Sequence, residues 1–401
     1  MRAVITPSRA QGSVSAPPSK SMAHRYLVCA ALSRGQSVID NVAFSKDIEA
    51  TIGCINALGA HCTADGDRIT VDGIAEPKRN AALDCGECGS TLRFFVPICA
   101  SFGGEYSFTG SKTLLARPMS VYEQIFCERG ISYSNDGNRI DINGALSGGD
   151  FVMNGGISSQ FVSGMLFSLP TAQSDSTIEL IPPVESRPYI DLTTDALRTF
   201  GIEIAEDGNS FAIKGGQHYR ACNVTVEGDY SNAAFLDAFN RVGGDVSVLG
   251  LGKSRQGDRV YGELFEKLSC GSDAAIDISD CPDLGPVLFA LAAVYGGCFC
   301  GTHRLRIKES DRCAAMAAEL AKLGVKCEIG DDTMKVYKTA LRTPTEPIDS
   351  HNDHRIVMAM SILLSQVGGE IENAQAVAKS MPDFFDKIKQ LGIGVECIED
   401  N

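Results

Sequence analysis

Between Gly301 and Arg312 the chain reads Gly-Thr-His-Arg-Leu-Arg-Ile-Lys-Glu-Ser-Asp-Arg, which sets Arg304, Arg306, Lys308 and Arg312 around Glu309 and Asp311. Cys313, Met316, Leu320 and Leu323 then fall on one helical face. A helix is predicted to begin here, with Ser310 as its N-cap and Gly324 closing the pattern. The free N–H groups of a helix start carry partial positive charge. Lysine and arginine added there make a seat for anions, with one carboxylate inside a cationic ring. The competing reading is a surface salt-bridge patch that binds nothing.

The same association recurs along the chain. Lys20, Ser21 and Arg25 open one helix, and His354-Arg355 opens another. Arg117-Pro118 and Arg187-Pro188 are 70 residues apart and place proline in a first helical turn, where its missing N–H costs nothing. Lys379-Ser-Met-Pro382 is read as the start of the last helix. If these starts converge on one cleft, that cleft binds small ligands carrying several negative charges. Ser158-Ser159-Gln160, and Asp283 after Pro282, sit at further helix starts, where capping alone would account for them. Arg93, one turn into an apolar helix, reads as structural.

No metal is expected. Cys85-Gly-Glu-Cys88 is half a zinc spacing without a second half, and the pair His351 and His354 lacks a nearby third ligand. Gly86-Glu-Cys-Gly89 is too short for a dinucleotide fingerprint, and it does not have the spacing of a nucleotide phosphate loop.

The elements that must position these residues repeat. Asp65-Gly66, Asp136-Gly137 and Asp207-Gly208, each between two short alternating runs, signal hairpins at intervals of 71 residues. Gly59, Gly130 and Gly201 end the preceding helices at the same interval, and Gly271, Gly324 and Gly392 continue the beat. A second helix type has a polar start and an apolar body. It appears six times, beginning near Lys20, Gly89, Ser158, Asp229, Pro282 and Asn352. Helices apolar on most faces must be surrounded by other elements. Six units, each of strand, buried helix, strand, amphipathic helix and hairpin, therefore predict two pseudo-threefold α/β domains rather than a solenoid.

Bulk composition narrows the partners. The 401 residues are 44% apolar and 21% charged, and the net charge of −14 argues against nucleic acid. The Met1–Pro7 stretch has no long apolar run, so no signal peptide is expected, and no stretch approaches the ~20 apolar residues of a membrane helix. Fifteen cysteines, several inside helical apolar patterns, fit reduced thiols and a cytoplasmic location.

With Pro18-Ser-Lys-Ser-Met-Ala-His-Arg25, Gly89-Ser-Thr-Leu-Arg93, Ser158-Ser-Gln160, Lys308-Glu-Ser-Asp-Arg312 and Asn352-Asp-His-Arg355 in that order, the chain resembles the 3-phosphoshikimate 1-carboxyvinyltransferases, the EPSP synthases of the enolpyruvyl transferase family. The resemblance runs from about Lys20 to Lys379. It implies an inside-out α/β barrel in two domains of three βαβαββ units, one spanning 20–218 and the other 1–19 with 219–401, with the active site in the interdomain cleft. The implied reaction moves the enolpyruvyl group of phosphoenolpyruvate onto the 5-hydroxyl of shikimate 3-phosphate, releasing phosphate. Neither cofactor nor metal is implied, and the expected state is a cytoplasmic monomer.

Carried over by motif, Lys20, Ser21, Arg25, Ser158, Ser159, Gln160, Ser186, Asp283 and Lys308 would hold shikimate 3-phosphate. Lys20, Gly89, Arg117, Gln160, Arg312, Arg355 and Lys379 would hold phosphoenolpyruvate. Two phosphates and two carboxylates in one pocket call for that many cations. Asp283 would take the hydroxyl proton, Glu309 would protonate the methylene carbon, and Lys20 would assist the departing phosphate. An acid role for a carboxylate set among cations demands burial or a relay. Two departures stand out. Glu87 lies where many relatives have Asn, and Arg304 where some have Asn. The sister transferase acting on UDP-N-acetylglucosamine fits less well, because Ser21 follows Lys20 and the loop before Arg117 has no cysteine.

Overall fold

The computed structural model describes residues 1–271 and 275–399. Each Asp-Gly pair makes its hairpin: His61–Asp65 with Arg68–Asp72, Ser132–Asn135 with Ile140–Gly144, and Ile204–Asp207 with Ser210–Ile213. The glycines at these turns have positive φ, a conformation that side chains resist.

The second and third hairpins each extend a parallel pair of strands joined through a buried helix. Asn80–Asp84 pairs with Gly104–Thr109 across helix Gly89–Phe102, and Asp150–Asn154 with Ser176–Ile181 across helix Ser159–Ser168. Cysteine, leucine and phenylalanine cover these helices on nearly every side. In His354–Val367, every residue from His354 to Ser365 is buried. Burying one such apolar side chain contributes ~1.5–3 kcal/mol. Polar groups can enter such a helix most cheaply at its ends, where backbone N–H groups need partners. The candidate site residues therefore gather at helix starts.

The chain forms two units, Pro18–Val226 and Met1–Pro17 with Glu227–Asn401. The expected boundary after residue 218 falls too early. Val224–Thr225 runs parallel to Gln36–Asp40, and the Asn223 side chain accepts from the Val38 N–H, so residues 219–226 close a sheet of the first unit. The boundary before Lys20 shifts in turn, because Ser19 caps the first helix and belongs with it. In the second unit Gln11–Ser15 runs parallel to Asp245–Leu249. The two segments that lead from one unit into the other thus end on sheets formed by distant residues. Strand Arg2–Thr6 fills the place of a missing hairpin strand, lying antiparallel between Gly369–Glu372 and Gly394–Ile398. The result is a mixed α/β fold of two pseudo-threefold units, each built on βαβαββ repeats.

Candidate functional site

In the Pro18–Val226 unit the helix starts meet. Helix Lys20–Leu32 is capped by Ser19, whose hydroxyl accepts from the Met22 N–H. Lys20 Nζ reaches Asp47 Oδ2 at 2.7 Å, in the first turn of helix Lys46–Leu58. Arg25 turns inward: its Nε donates to Thr193 Oγ1 at 2.9 Å, and its two Nη atoms donate to the carbonyls of Ser21 and Tyr189 at 2.7 Å each. That clamps the first helix to the start of helix Arg187–Thr199. Ser186 opens the latter helix with φ 54°, left-handed and buried. Such a backbone costs about 1–2 kcal/mol and is retained where surroundings or function demand it.

Gly89, Ser90, Arg93, Arg117 and Gln160 form the next group. Ser158 caps helix Ser159–Ser168 by accepting from the Gln160 N–H. Arg93 Nη1 donates to Gln160 Oε1 at 2.7 Å, and Gln160 Nε2 donates to Ser90 Oγ at 2.9 Å. A Cβ on Gly89 would stand 2.8 Å from Arg117 Nη1 and 3.4 Å from Gln160 Oε1, so the missing side chain is what lets that guanidinium approach the helix start. Arg93 is structural in the sense expected, lying over the Phe161 ring, but it also aims Gln160. Pro97 has no N–H to offer the Arg93 carbonyl one turn earlier. The buried Tyr122 hydroxyl reaches that carbonyl at 2.7 Å. Gly164 admits it, because any Cβ there would collide with Tyr122 Oη and the Arg93 carbonyl.

In the other unit the centre of the cluster is inverted. One guanidinium sits among three carboxylates: Arg312, 1% exposed, donates to Asp353 at 2.8 Å, Asp283 at 2.9 Å and Glu309 at 2.7 Å. The expected arrangement had one carboxylate inside a cationic ring. Asp283 is the residue that meets it, receiving Lys308 at 3.3 Å, Arg312 at 2.9 Å and Arg355 at 3.0 Å. Burial pushes the Asp283 carboxyl up, but Arg355, Lys308 and Arg312 together hold it well below the usual carboxylate range. Burial lowers the Lys308 ammonium, against the pull of Asp283. For Arg312 burial opposes the charge, and Asp353, Glu309 and Asp283 more than offset it.

Several local expectations change. Asp311, not Ser310, caps helix Arg312–Lys322 by accepting from the Ala314 N–H, and Ser310 donates to Asp353 instead. A carboxylate accepts more strongly from an N-terminal N–H than a hydroxyl does. Arg306 leaves the cluster for the Gly330 carbonyl, while Arg304 is buried in the turn His303–Ile307. Pro118 precedes helix Ser120–Glu128 rather than lying in its first turn. Lys379 ends the turn Ala374–Lys379 and does not open the last helix, which begins at Phe384. Its ammonium donates to the Asn352 carbonyl. His351 and Asn352, both at positive φ, turn the chain so that Asp353 caps helix His354–Val367 and receives the Arg355 N–H. Arg187 is committed to Asp191, Glu206 and the Gly208 carbonyl, tying its helix to the hairpin.

Four participants were given no role from the sequence: Asp47, Ser90, which accepts from Gln160, Ser231, which accepts from Arg355 at 2.7 Å, and Asp353. Asp353 had a visible signal, an aspartate just ahead of an apolar helical run.

The EPSP synthase (3-phosphoshikimate 1-carboxyvinyltransferase) family profile matches residues 4–388. A 3-phosphoshikimate 1-carboxyvinyltransferase of Clostridium perfringens is 40% identical over 417 residues, spanning 98% of each chain. One from Clostridioides difficile is 38% identical and spans 97% of each. Among solved structures, EPSP synthase from Acinetobacter baumannii superposes with a TM-score of 0.80 at 22% identity over 100% of both chains. The enolpyruvyl transferase NikO from Streptomyces tendae gives 0.77 at 17% identity over 98% of each. The fold shared with these structures is the two-domain inside-out α/β barrel.

Proposed function

The chain belongs to the EPSP synthase family, and from that membership we propose that it transfers the enolpyruvyl group of phosphoenolpyruvate to the 5-hydroxyl of shikimate 3-phosphate. The hydroxyl oxygen adds to C2 of phosphoenolpyruvate as its proton leaves and another joins the methylene carbon. The tetrahedral adduct then expels phosphate while a methyl proton leaves, restoring the double bond.

The observation that carries the residue roles is the convergence of Lys308, Arg312 and Arg355 on Asp283. An isolated Asp283 so held is a weak base. Anionic substrates that engage Lys308 and Arg355 draw those charges away from the carboxylate and raise its basicity. Asp283 is then the base toward the hydroxyl. Glu309, 2.7 Å from Arg312, is the acid toward the methylene carbon. Lys20 reaches both substrates and assists the leaving phosphate. Ser21, Arg25, Ser158, Ser159 and Ser186 join Gln160 and Lys308 around the phosphorylated ring; Arg25 keeps a second proton on each Nη for this purpose. Gly89, Arg117, Gln160, Arg312, Arg355 and Lys379 receive phosphoenolpyruvate. Glyphosate, the family's inhibitor, competes for that seat. The fifteen free cysteines support a reducing, cytoplasmic setting, and the working form is a monomer. Among the described residues no helix is long and apolar enough to cross a membrane.

The test is phosphate release from phosphoenolpyruvate, with Asp283→Ala and Glu309→Gln beside the wild type. Release should require shikimate 3-phosphate and fall by about 10²-fold or more in each variant. Release with UDP-N-acetylglucosamine instead would assign the chain to the sister reaction. Tight binding of shikimate 3-phosphate without release under any condition would reduce it to a binding protein.

A further inference from the structure

Beside Lys20 lies a group of side chains of which the transferase chemistry uses only Asp47, through its ion pair with Lys20. His24, Asp47 and Cys88 each turn one donor atom inward, and these atoms lie within 4.8 Å of one another. All three residues are buried: His24 and Cys88 are 2% exposed, and Asp47 is 8%. They come from three elements, the first helix, the first turn of helix Lys46–Leu58 and the N-cap of helix Gly89–Phe102. We propose that they bind a divalent ion of the zinc class, and that the ion inhibits the enzyme by taking Asp47 from Lys20.

The donor set is selective. A thiolate and an imidazole favour zinc, cobalt or cadmium over magnesium and calcium. His24 Nδ1 is 2.8 Å from Thr51 Oγ1, which is 2.7 Å from Thr91 Oγ1. That hydroxyl pair fixes the ring and leaves Nε2 toward Cys88 Sγ at 3.8 Å. Bond lengths of ~2.3 Å to sulfur and ~2.0 Å to nitrogen place two ligands of a tetrahedral zinc ~3.5 Å apart, so the pair needs little rearrangement. Asp47 supplies the third bond, and the fourth position stays open for water.

Binding breaks the Cys88 S–H bond and forms a sulfur–metal bond, with the proton passing to solvent and no change of oxidation state. Asp47 Oδ2 now holds Lys20 Nζ at 2.7 Å. A dication bound to the same carboxylate repels the ammonium, so Lys20 loses the contact that positions it. The inhibitory half of the proposal rests on the transferase reading; the site itself does not.

Cobalt(II) is the first probe, because thiolate-bound tetrahedral cobalt absorbs strongly in the visible. The metal-free wild type should develop these bands at one ion per chain. Cys88→Ser retains a capping oxygen for the Thr91 N–H, and His24→Asn retains a polar group; circular dichroism checks that both fold. Each should weaken uptake by about 100-fold or more, the upper end of what even supporting partners of a ligand contribute. Zinc should displace the cobalt and suppress phosphate release from the wild type, while Cys88→Ser should need about 100-fold more zinc. Absent bands, or bands unchanged in folded Cys88→Ser, would overturn the site. Zinc uptake through Cys88 with phosphate release unaffected would overturn the link to Lys20. Cobalt uptake lost in both variants, in a metal-free wild type that releases no phosphate with either acceptor, would support the site and fault the transferase reading.

Discussion

Replacing Gly89 by alanine tests the proposed assignment of Gly89 and Arg117 to phosphoenolpyruvate. The new Cβ would lie 2.8 Å from Arg117 Nη1, where ordinary contact begins at 3.4 Å, so the guanidinium must retreat by about 0.6 Å. Gln160 Oε1, at 3.4 Å, need not move. The displaced atom is the far end of a flexible side chain, so little stability is lost. Its bond to an anion is different. A charge-assisted hydrogen bond of ~2.8 Å lengthened by that amount leaves the range of good geometry. Most of its ~1.5–3 kcal/mol then goes, which corresponds to about 10- to 150-fold. Steady-state phosphate release, with phosphoenolpyruvate varied at saturating shikimate 3-phosphate, should show KM for phosphoenolpyruvate raised by that factor. KM for shikimate 3-phosphate and the melting temperature should stay at wild-type values. An unchanged phosphoenolpyruvate KM would refute the placement of Arg117. Equal losses for both substrates with a lower melting temperature would show that the glycine matters for packing instead.

Other expectations follow from the same contacts. Tyr122→Phe leaves the Arg93 carbonyl, already deprived of a helical partner by Pro97, buried beside an apolar ring; urea unfolding should show a loss of ~1–3 kcal/mol. For Asp283 the folded pKa is depressed, so its contribution to stability is complete above the unfolded value of about 4 and is lost only as pH falls below it toward the folded value. The stability gap between wild type and Asp283→Asn should therefore be flat from neutral pH to about pH 4 and narrow below; a gap that already closes between about pH 7 and pH 5 would contradict the cationic hold on this carboxyl. Deleting residues 1–6 removes the strand between Gly369–Glu372 and Gly394–Ile398. That truncation should abolish cooperative thermal unfolding of the Met1–Pro17 and Glu227–Asn401 unit, read by calorimetry.

Much of the architecture was legible in the sequence because its signals are local. Asp136-Gly137 makes a hairpin through the backbone freedom of one glycine, and Cys313, Met316 and Leu320 share a face through the pitch of one helix. The six apolar helices declared themselves by having no polar side to leave in water. Partnership among charges is of another kind. Arg304, Arg306, Lys308 and Arg312 stand together in sequence, yet Arg312 goes to Asp283 and Asp353, while Arg306 goes to a hairpin carbonyl. A buried charge takes whichever partner packing delivers, and here those partners are 29 and 41 residues away. Strand exchange is hidden for the same reason: nothing near Val224 names Ile39 as its neighbour, and nothing near Arg2 names Ile398. The Cys85-Gly-Glu-Cys88 spacing suggested at most half a site, and only the tertiary structure set Cys88 beside His24 and Asp47. Sequence determined which residues could carry charge, cap or turn; the close packing of helix starts decided which of them meet.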